Sequence, residues 1–257
     1  MCVIIDVVRW RPAVRSLLVT GVILAAGGSA VAGPPVELPA RLPDSARARV
    51  QAVTTSPSLA VKVDGEPFVA RRDVFEFLLD HPDFATHVTQ ALKLARYRIW
   101  RNESGLGIDD GWGTVGTFEL VHAAEGLRLM YARGVYHHKI LPDIHGQAVV
   151  VIDYGTRPAP QGRSLITAAV SGFVKLDNKI LAMASKLATS VATAKGEKEA
   201  RRLVSLFAKT TRAIDADPAA VFDKVRQHPD VPAAELEEFR RLLNLPVAAP
   251  SRSSAAR

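Results

Sequence analysis

Between residues 96 and 175 the apolar side chains of this chain recur every second position, and on either side they recur every third or fourth. Period two is the mark of strands and period 3.6 the mark of helices. Five strand-like segments, at 96–103, 115–121, 127–138, 147–154 and 164–175, follow one another with only Gly, Asn, Asp and Pro turns between them. Strands joined without crossover helices pair antiparallel, so the middle of the chain is expected to be one antiparallel sheet. In 127–138 one face carries Leu127, Leu129, Tyr131 and Val135 and the other Arg128, Met130, Ala132 and Tyr136, so neither face is purely polar.

The flanks read as helical. A short strand at 59–63 and an Asp64-Gly65 turn lead to a helix at 72–79 with Val74, Phe75, Leu78 and Leu79 on one face. Pro82 stops it, and Asp83 is placed to cap a second helix carrying Phe84, Val88, Leu92 and Leu94. After the sheet, Ile180, Met183, Ala184, Leu187 and Val191 follow helical spacing, with Asp177 or Asn178 as cap. Gly196 is read as an interruption, and Ala200, Leu203, Val204 and Phe207 continue the stripe toward Ile214. Two shorter helices are expected at 219–226 and 234–243.

Both ends look different. Arg9, Arg11 and Arg15 precede an apolar run at 16–26, too short for the ~20 residues that span a bilayer. Ala30-Val31-Ala32 follows as an A-x-A cleavage site, so residues 1–32 are expected to be a signal peptide and the mature protein to be exported, periplasmic or secreted. Residues 33–58 hold Pro34, Pro35, Pro39, Pro43 and Pro57 and are expected to be a linker with at most a short helix at 45–52. The folded domain is expected to cover 59–214, a helical extension 215–246, and a frayed tail 247–257.

The single cysteine, Cys2, lies in the leader, which excludes disulfides and thiolate chemistry from the mature chain. Hydrophobic residues at 48% against 23% charged are a globular balance, sufficient for a core without metal or disulfide. The leader's three arginines and one aspartate account for +2 of the net +7, leaving +5 dispersed over the rest. That excess suits transient contact with an anionic membrane surface, and no nucleic-acid module accompanies it.

No reactive motif is complete. Gly111-Trp112-Gly113-Thr114-Val115-Gly116 spells G-x-G-x-x-G, but a strand follows where a dinucleotide site needs a helix, so Gly105, Gly107, Gly111 and Gly113 are read as a long hairpin turn. His137, His138, Asp143 and His145 form the densest set of possible metal ligands, although adjacent strand residues face opposite ways. His81-Pro82-Asp83 recurs as His228-Pro229-Asp230, each read as a helix stop with an acidic cap. No G-x-S-x-G elbow supports a hydrolase triad. No catalytic residue, metal or cofactor is assigned.

The order of strand, two short helices, antiparallel strands and long helix resembles the helix-grip fold of the START-like (SRPBCC) superfamily. The features that carry this resemblance are the Asp80-His81-Pro82-Asp83 corner, the glycine-punctuated strands and the amphipathic helix after Asp177. It implies an α+β fold, a curved antiparallel sheet wrapped around a long C-terminal helix. It also implies a cavity for a lipid or other apolar small molecule between them. Phe118, Met130, Tyr131, Phe173, Met183 and Leu187 are the expected lining, with Ala168, Ala169, Ser171 and Gly172 leaving room. The same side chains also fit a filled core. A ligand-free envelope interaction module is the alternative, and a hydrolase-type enzyme using 137–145 the less favoured one.

Overall fold

A computed structural model describes residues 38–103, 105–111, 113–137, 143–177 and 186–246; along the last helix, side chains are described at 194 and from 196 onward. Chain order is α1 (Asp44–Thr54), β1 (Leu59–Asp64), β2 (Phe68–Ala70), α2 (Arg72–Asp80), α3 (Pro82–Ala91), β3 (Arg98–Asn102), β4 (Gly105–Asp109), β5 (Thr114–Ala124), β6 (Leu127–Tyr136), β7 (Ile144–Ala159) and β8 (Arg163–Leu176). Three helices follow: α4 (Lys186–Ala216), α5 (Pro218–Arg226) and α6 (Ala233–Leu242).

The strands make one antiparallel sheet in the order β1-β8-β7-β6-β5-β4-β3, with β2 pairing the other end of β8. This is the α+β helix-grip class that the resemblance implied, built on the antiparallel sheet expected from the change of period. Of the glycines read as one long hairpin turn, Gly111 and Gly113 do turn the chain between β4 and β5, but Gly105 and Gly107 belong to strand β4, paired with both β3 and β5. Glycine's low strand preference hid it, and its neighbours supply the packing: the Trp100 indole lies across Gly107, where an added Cβ would come within 2.5 Å of the ring.

One row of the sheet is built from glycine. Gly116, Gly134 and Gly146 are cross-strand partners in consecutive strands. A Cβ on Gly116 would lie 2.3 Å from the Arg133 carbonyl oxygen, and one on Gly134 would lie 2.6 Å from that of Val115. Only glycine lets β5 and β6 approach so closely at this row. A register shift between Leu120 and His122 adds a bulge further along the same pair. At the other end of this hairpin, Gly126 turns the chain with φ +75°, a conformation that penalises a side chain.

The concave face carries alternate residues of every strand, including Leu59, Val61, Phe118, Met130, Ala148, Val150, Ile152, Ile166 and Val170, in one apolar cluster with Ala200 and Val204 of α4. Helix α4 runs unbroken through Gly196 and packs chiefly on β1, β2 and β8. Gly196 is therefore not an interruption. It is buried, and a Cβ there would stand 2.9 Å from a Val61 methyl, so the glycine lets the helix settle onto β1. Eight residues on, Val204 occupies the space above Gly65 in the β1–β2 turn.

The convex face is covered as well. Leu42, Ala46, Val50 and Val53 of the α1 region lie on Leu129, Tyr131, Val149, Val151 and Phe173. Arg49 bridges to Glu119 at 2.8 and 3.1 Å with its guanidinium over the Tyr131 ring, and the Lys175 ammonium donates to the carbonyl of Ala52, at the electronegative end of the helix. Part of the expected linker is thus a packed helix, slightly longer than the short helix at 45–52 read from sequence. It explains why neither face of β6 is polar.

Edge strand β3 is sealed by α3. The Thr86 hydroxyl lies 3.2 Å from the carbonyl of Ile99, and Gln90 Nε2 donates to the carbonyl of Tyr97 at 2.8 Å, which blocks further pairing. Asp83 does not cap α3. It is buried and bonds Arg101 at 3.1 and 3.3 Å, tying the α2–α3 corner to the same edge. Finally, α5 and α6 pack Val221, Val225, Phe239 and Leu243 against Val74, Phe77, Phe84, Val88 and Ile214, a separate apolar cluster on the outer side of α2 and α3.

Candidate functional site

The concave wall is the candidate site. Cross-strand register orders it into rows. The row next to the glycines runs Leu106, Phe118, Ala132, Ala148, Val174 and Leu59. The following row runs Leu120, Met130, Val150, Gly172 and Val61. Neither row contains a polar or charged side chain, and the middle of the first is two alanines. Such a wall can hold apolar matter through shape and exclusion of water, and it offers no group for acid–base or nucleophilic work.

The polar end of this face begins in the next row with Arg128 and continues to Tyr154 in the one after, and both groups are engaged. Arg128, buried, gives Nε and Nη2 to the two oxygens of Asp80 at 2.5 and 3.0 Å, and Nη1 to the carbonyls of Ala124 and Leu127 and to the Tyr154 hydroxyl. The Tyr154 hydroxyl donates in turn to Glu76 at 2.9 Å, and Arg72 links Glu76 to Glu125. Burial works against the Arg128 charge, but the Asp80 carboxylate outweighs it and leaves the guanidinium pKa raised. Burial also pushes the Tyr154 phenol up, and its bond to Glu76 pushes it further. With its donors and acceptors satisfied, this chain clamps α2 to the β5–β6 hairpin and closes one end of the wall.

Of the expected lining residues, Phe118 and Met130 lie on the concave wall. Tyr131 and Phe173 do not. They face the convex side beneath α1, and the Tyr131 hydroxyl bonds Gln147 at 2.9 Å. The reason is the pleat: residues 130 and 131 cannot share a face, and the row Glu119, Tyr131, Val149, Phe173 and Ala60 belongs to the other side. Likewise Ala168 and Gly172 are concave, while Ala169 and Ser171 are convex. Met183, the Leu187 side chain and His138 lie outside the described residues. Apolar bulk alone missed Ala132, Ala148 and Val150, which strand parity and register place at the centre of the wall.

His137 Nδ1 meets Asp143 at 2.8 Å with both side chains half exposed, and exposed His145 stands on the convex side of β7. Among the described residues, no group of three His, Cys, Asp or Glu is placed to hold a metal, and no helix is long and apolar enough to cross a membrane. Two open depressions, of about 340 and 350 Å³, lie elsewhere: one between the start of α2 and the end of α6, the other on the outer flank of α4. Both are lined mainly by charged side chains.

No family model matches the chain, and no curated protein does. Among solved structures it is similar to a hypothetical protein of Helicobacter pylori, at 9% identity over 70% of this chain and 100% of that one, with TM-score 0.39. A protein of Thermus thermophilus gives 8% identity over 60% and 97%, with TM-score 0.31. Truncated norcoclaurine synthase of Thalictrum flavum gives 14% over 57% and 94%, with TM-score 0.27. Likeness at this level carries no argument about activity; what the chain's own geometry establishes is an antiparallel helix-grip sheet with an apolar concave wall.

Proposed function

We propose that this chain is an exported START-like protein that binds a lipid or other apolar small molecule against the concave wall, beneath the N-terminal half of the long helix. One observation carries the reading: two full cross-strand rows of the wall are apolar, and the row nearest the glycines is floored by Ala132 and Ala148. A core built only for stability favours large side chains at such central positions, because each added methylene contributes about 0.8 kcal/mol of burial. Small residues at the centre of an apolar face suit an occupant supplied from outside.

The absence of a reactive constellation among the described residues of the wall fits carriage better than conversion. The net positive charge suits brief contact with anionic headgroups at the point of exchange. The interaction-module reading draws less support, since α5 and α6 direct their apolar faces inward onto α2 and α3.

Native mass spectrometry of the purified full chain, paired with organic extraction, tests the proposal. An apolar adduct that dissociates on activation and reappears in the extract is the expected result. A bare protein mass with an empty extract, and no uptake from phospholipid vesicles, would overturn it.

A further inference from the structure

His87, in the middle of α3, and His228, in the turn after α5, come together across 141 residues: their Nδ1 atoms are 3.2 Å apart and their rings meet edge to face at 5.3 Å. Both rings are part-buried. Two imidazoles can hydrogen-bond only when one supplies an N–H and the other a lone pair. His228 Nδ1 also lies 3.3 Å from the carbonyl oxygen of Pro229, which can only accept. The network therefore assigns the proton to His228 Nδ1 and the bare lone pair to His87 Nδ1.

We propose that this pair is a proton-operated clasp that fastens the α5–α6 hairpin to the α2–α3 corner at neutral pH and releases its grip in mild acid. A proton on His87 Nδ1 would set two N–H groups head to head, turning the bond into a repulsion. The surroundings resist that proton. Burial lowers the pKa of His87, and His228 lowers it further, while Asp83 and Asp230 pull the other way. Asp83 is already engaged by Arg101, and Asp230 sits in the turn with φ +58°. The clasp gives the second His-Pro-Asp tripeptide a use that the first lacks: His81 instead turns its Nδ1 to the carbonyl of Phe77 in its own helix.

The sign follows from linkage. The folded state binds a proton at His87 less readily than the unfolded chain, so stability from this contact is present above the ordinary histidine range. It is lost as pH falls through that range toward the lowered folded value. The apolar cluster beneath the hairpin keeps it attached, so the expected event is a local opening and not dissociation.

Hydrogen exchange on the full chain, corrected for intrinsic rates, reads this directly. Between pH 7.5 and 5.5, amides of 218–226 and 233–242 should lose protection severalfold relative to β7 and β8. The variant His87→Asn keeps an acceptor near the Nδ1 position and cannot titrate, so its protection should match the parent at pH 7.5 and stay flat. NMR titration of the unmodified protein gives a second reading that needs no variant: His87 should titrate below the ordinary range with the Nδ1 proton on His228. Flat protection in the parent, an undiminished pH response in His87→Asn, or His87 titrating at or above the ordinary value would each overturn the proposal.

Discussion

Gly65→Ala is a sharp test of how the long helix is seated. An added Cβ would lie 2.1 Å from Cγ1 of Val204 and 3.0 Å from the Ala168 carbonyl oxygen, against the 3.5–4.0 Å of ordinary carbon contacts. Val204 is buried, and the helix is held again at Gly196, eight residues or roughly 12 Å away, so it cannot tilt freely to make room. Gly65 does not need a left-handed φ, so alanine carries no backbone strain there. Without the clash, Gly→Ala would stabilise by about 0.4–1 kcal/mol through the unfolded chain. With it, overpacking costs about 1–3 kcal/mol, which in a domain of this size lowers Tm by roughly 2–12 °C. Val204→Ala alone should cost about 1–3 kcal/mol for the cavity. Combined with Gly65→Ala it should recover part of the loss, with a favourable coupling of about 0.5–3 kcal/mol. Thermal and urea unfolding of the four proteins measure the cycle. A stabilised Gly65→Ala, or additive losses, would refute the seating of α4 on the β1–β2 turn.

Three other substitutions probe the remaining contacts. Asp80→Ala leaves the Arg128 guanidinium, 6% exposed, without its carboxylate and should destabilise by about 3–5 kcal/mol in urea unfolding, while Asp80→Leu with Arg128→Met should be far milder. Val50→Asp puts an unpaired charge under α1 and should cost about 3 kcal/mol or more, with dye binding to the uncovered convex face. Asp215→Asn should raise Tm at pH 7: burial pushes the Asp215 carboxyl up against the pull of Arg163 and Arg71, and its Oδ2 is buried without a hydrogen bond. Because the folded state favours protonated Asp215, that gain should shrink as pH falls through the carboxylate range.

The change of period made the sheet and most helices readable in advance, because long amphipathic stripes depend little on what they later touch. Elements whose apolar content is sparse were harder. Helix α1 buries only Ala46, Val50 and Val53, with Arg47, Arg49 and Gln51 between them, and its clearest trace lies elsewhere, in the doubly apolar faces of β6. Strand β4 is hidden by Gly105 and Gly107, and the packing at Gly107 comes from Trp100 on a neighbouring strand. Gly196 reads as a helix breaker by propensity, yet it marks close approach to β1, a tertiary reason no local pattern contains. In the candidate site, bulk points equally to Phe118 and Met130, which lie on the concave wall, and to Tyr131 and Phe173, which strand parity puts on the other face. Carrying parity across the pairing from Met130 to Val150 to Gly172 would have separated the two faces.

The central claim is that the concave wall leaves room above its alanines, and Ala148→Leu tests it. Ala148 is 2% exposed at the middle of the wall. If an apolar guest occupies that room, leucine should change the stability of the lipid-free protein by less than about 1 kcal/mol while sharply reducing lipid uptake. A loss of about 1–3 kcal/mol or more in the lipid-free protein, with no uptake to lose in the parent, would mean a filled core and contradict the account.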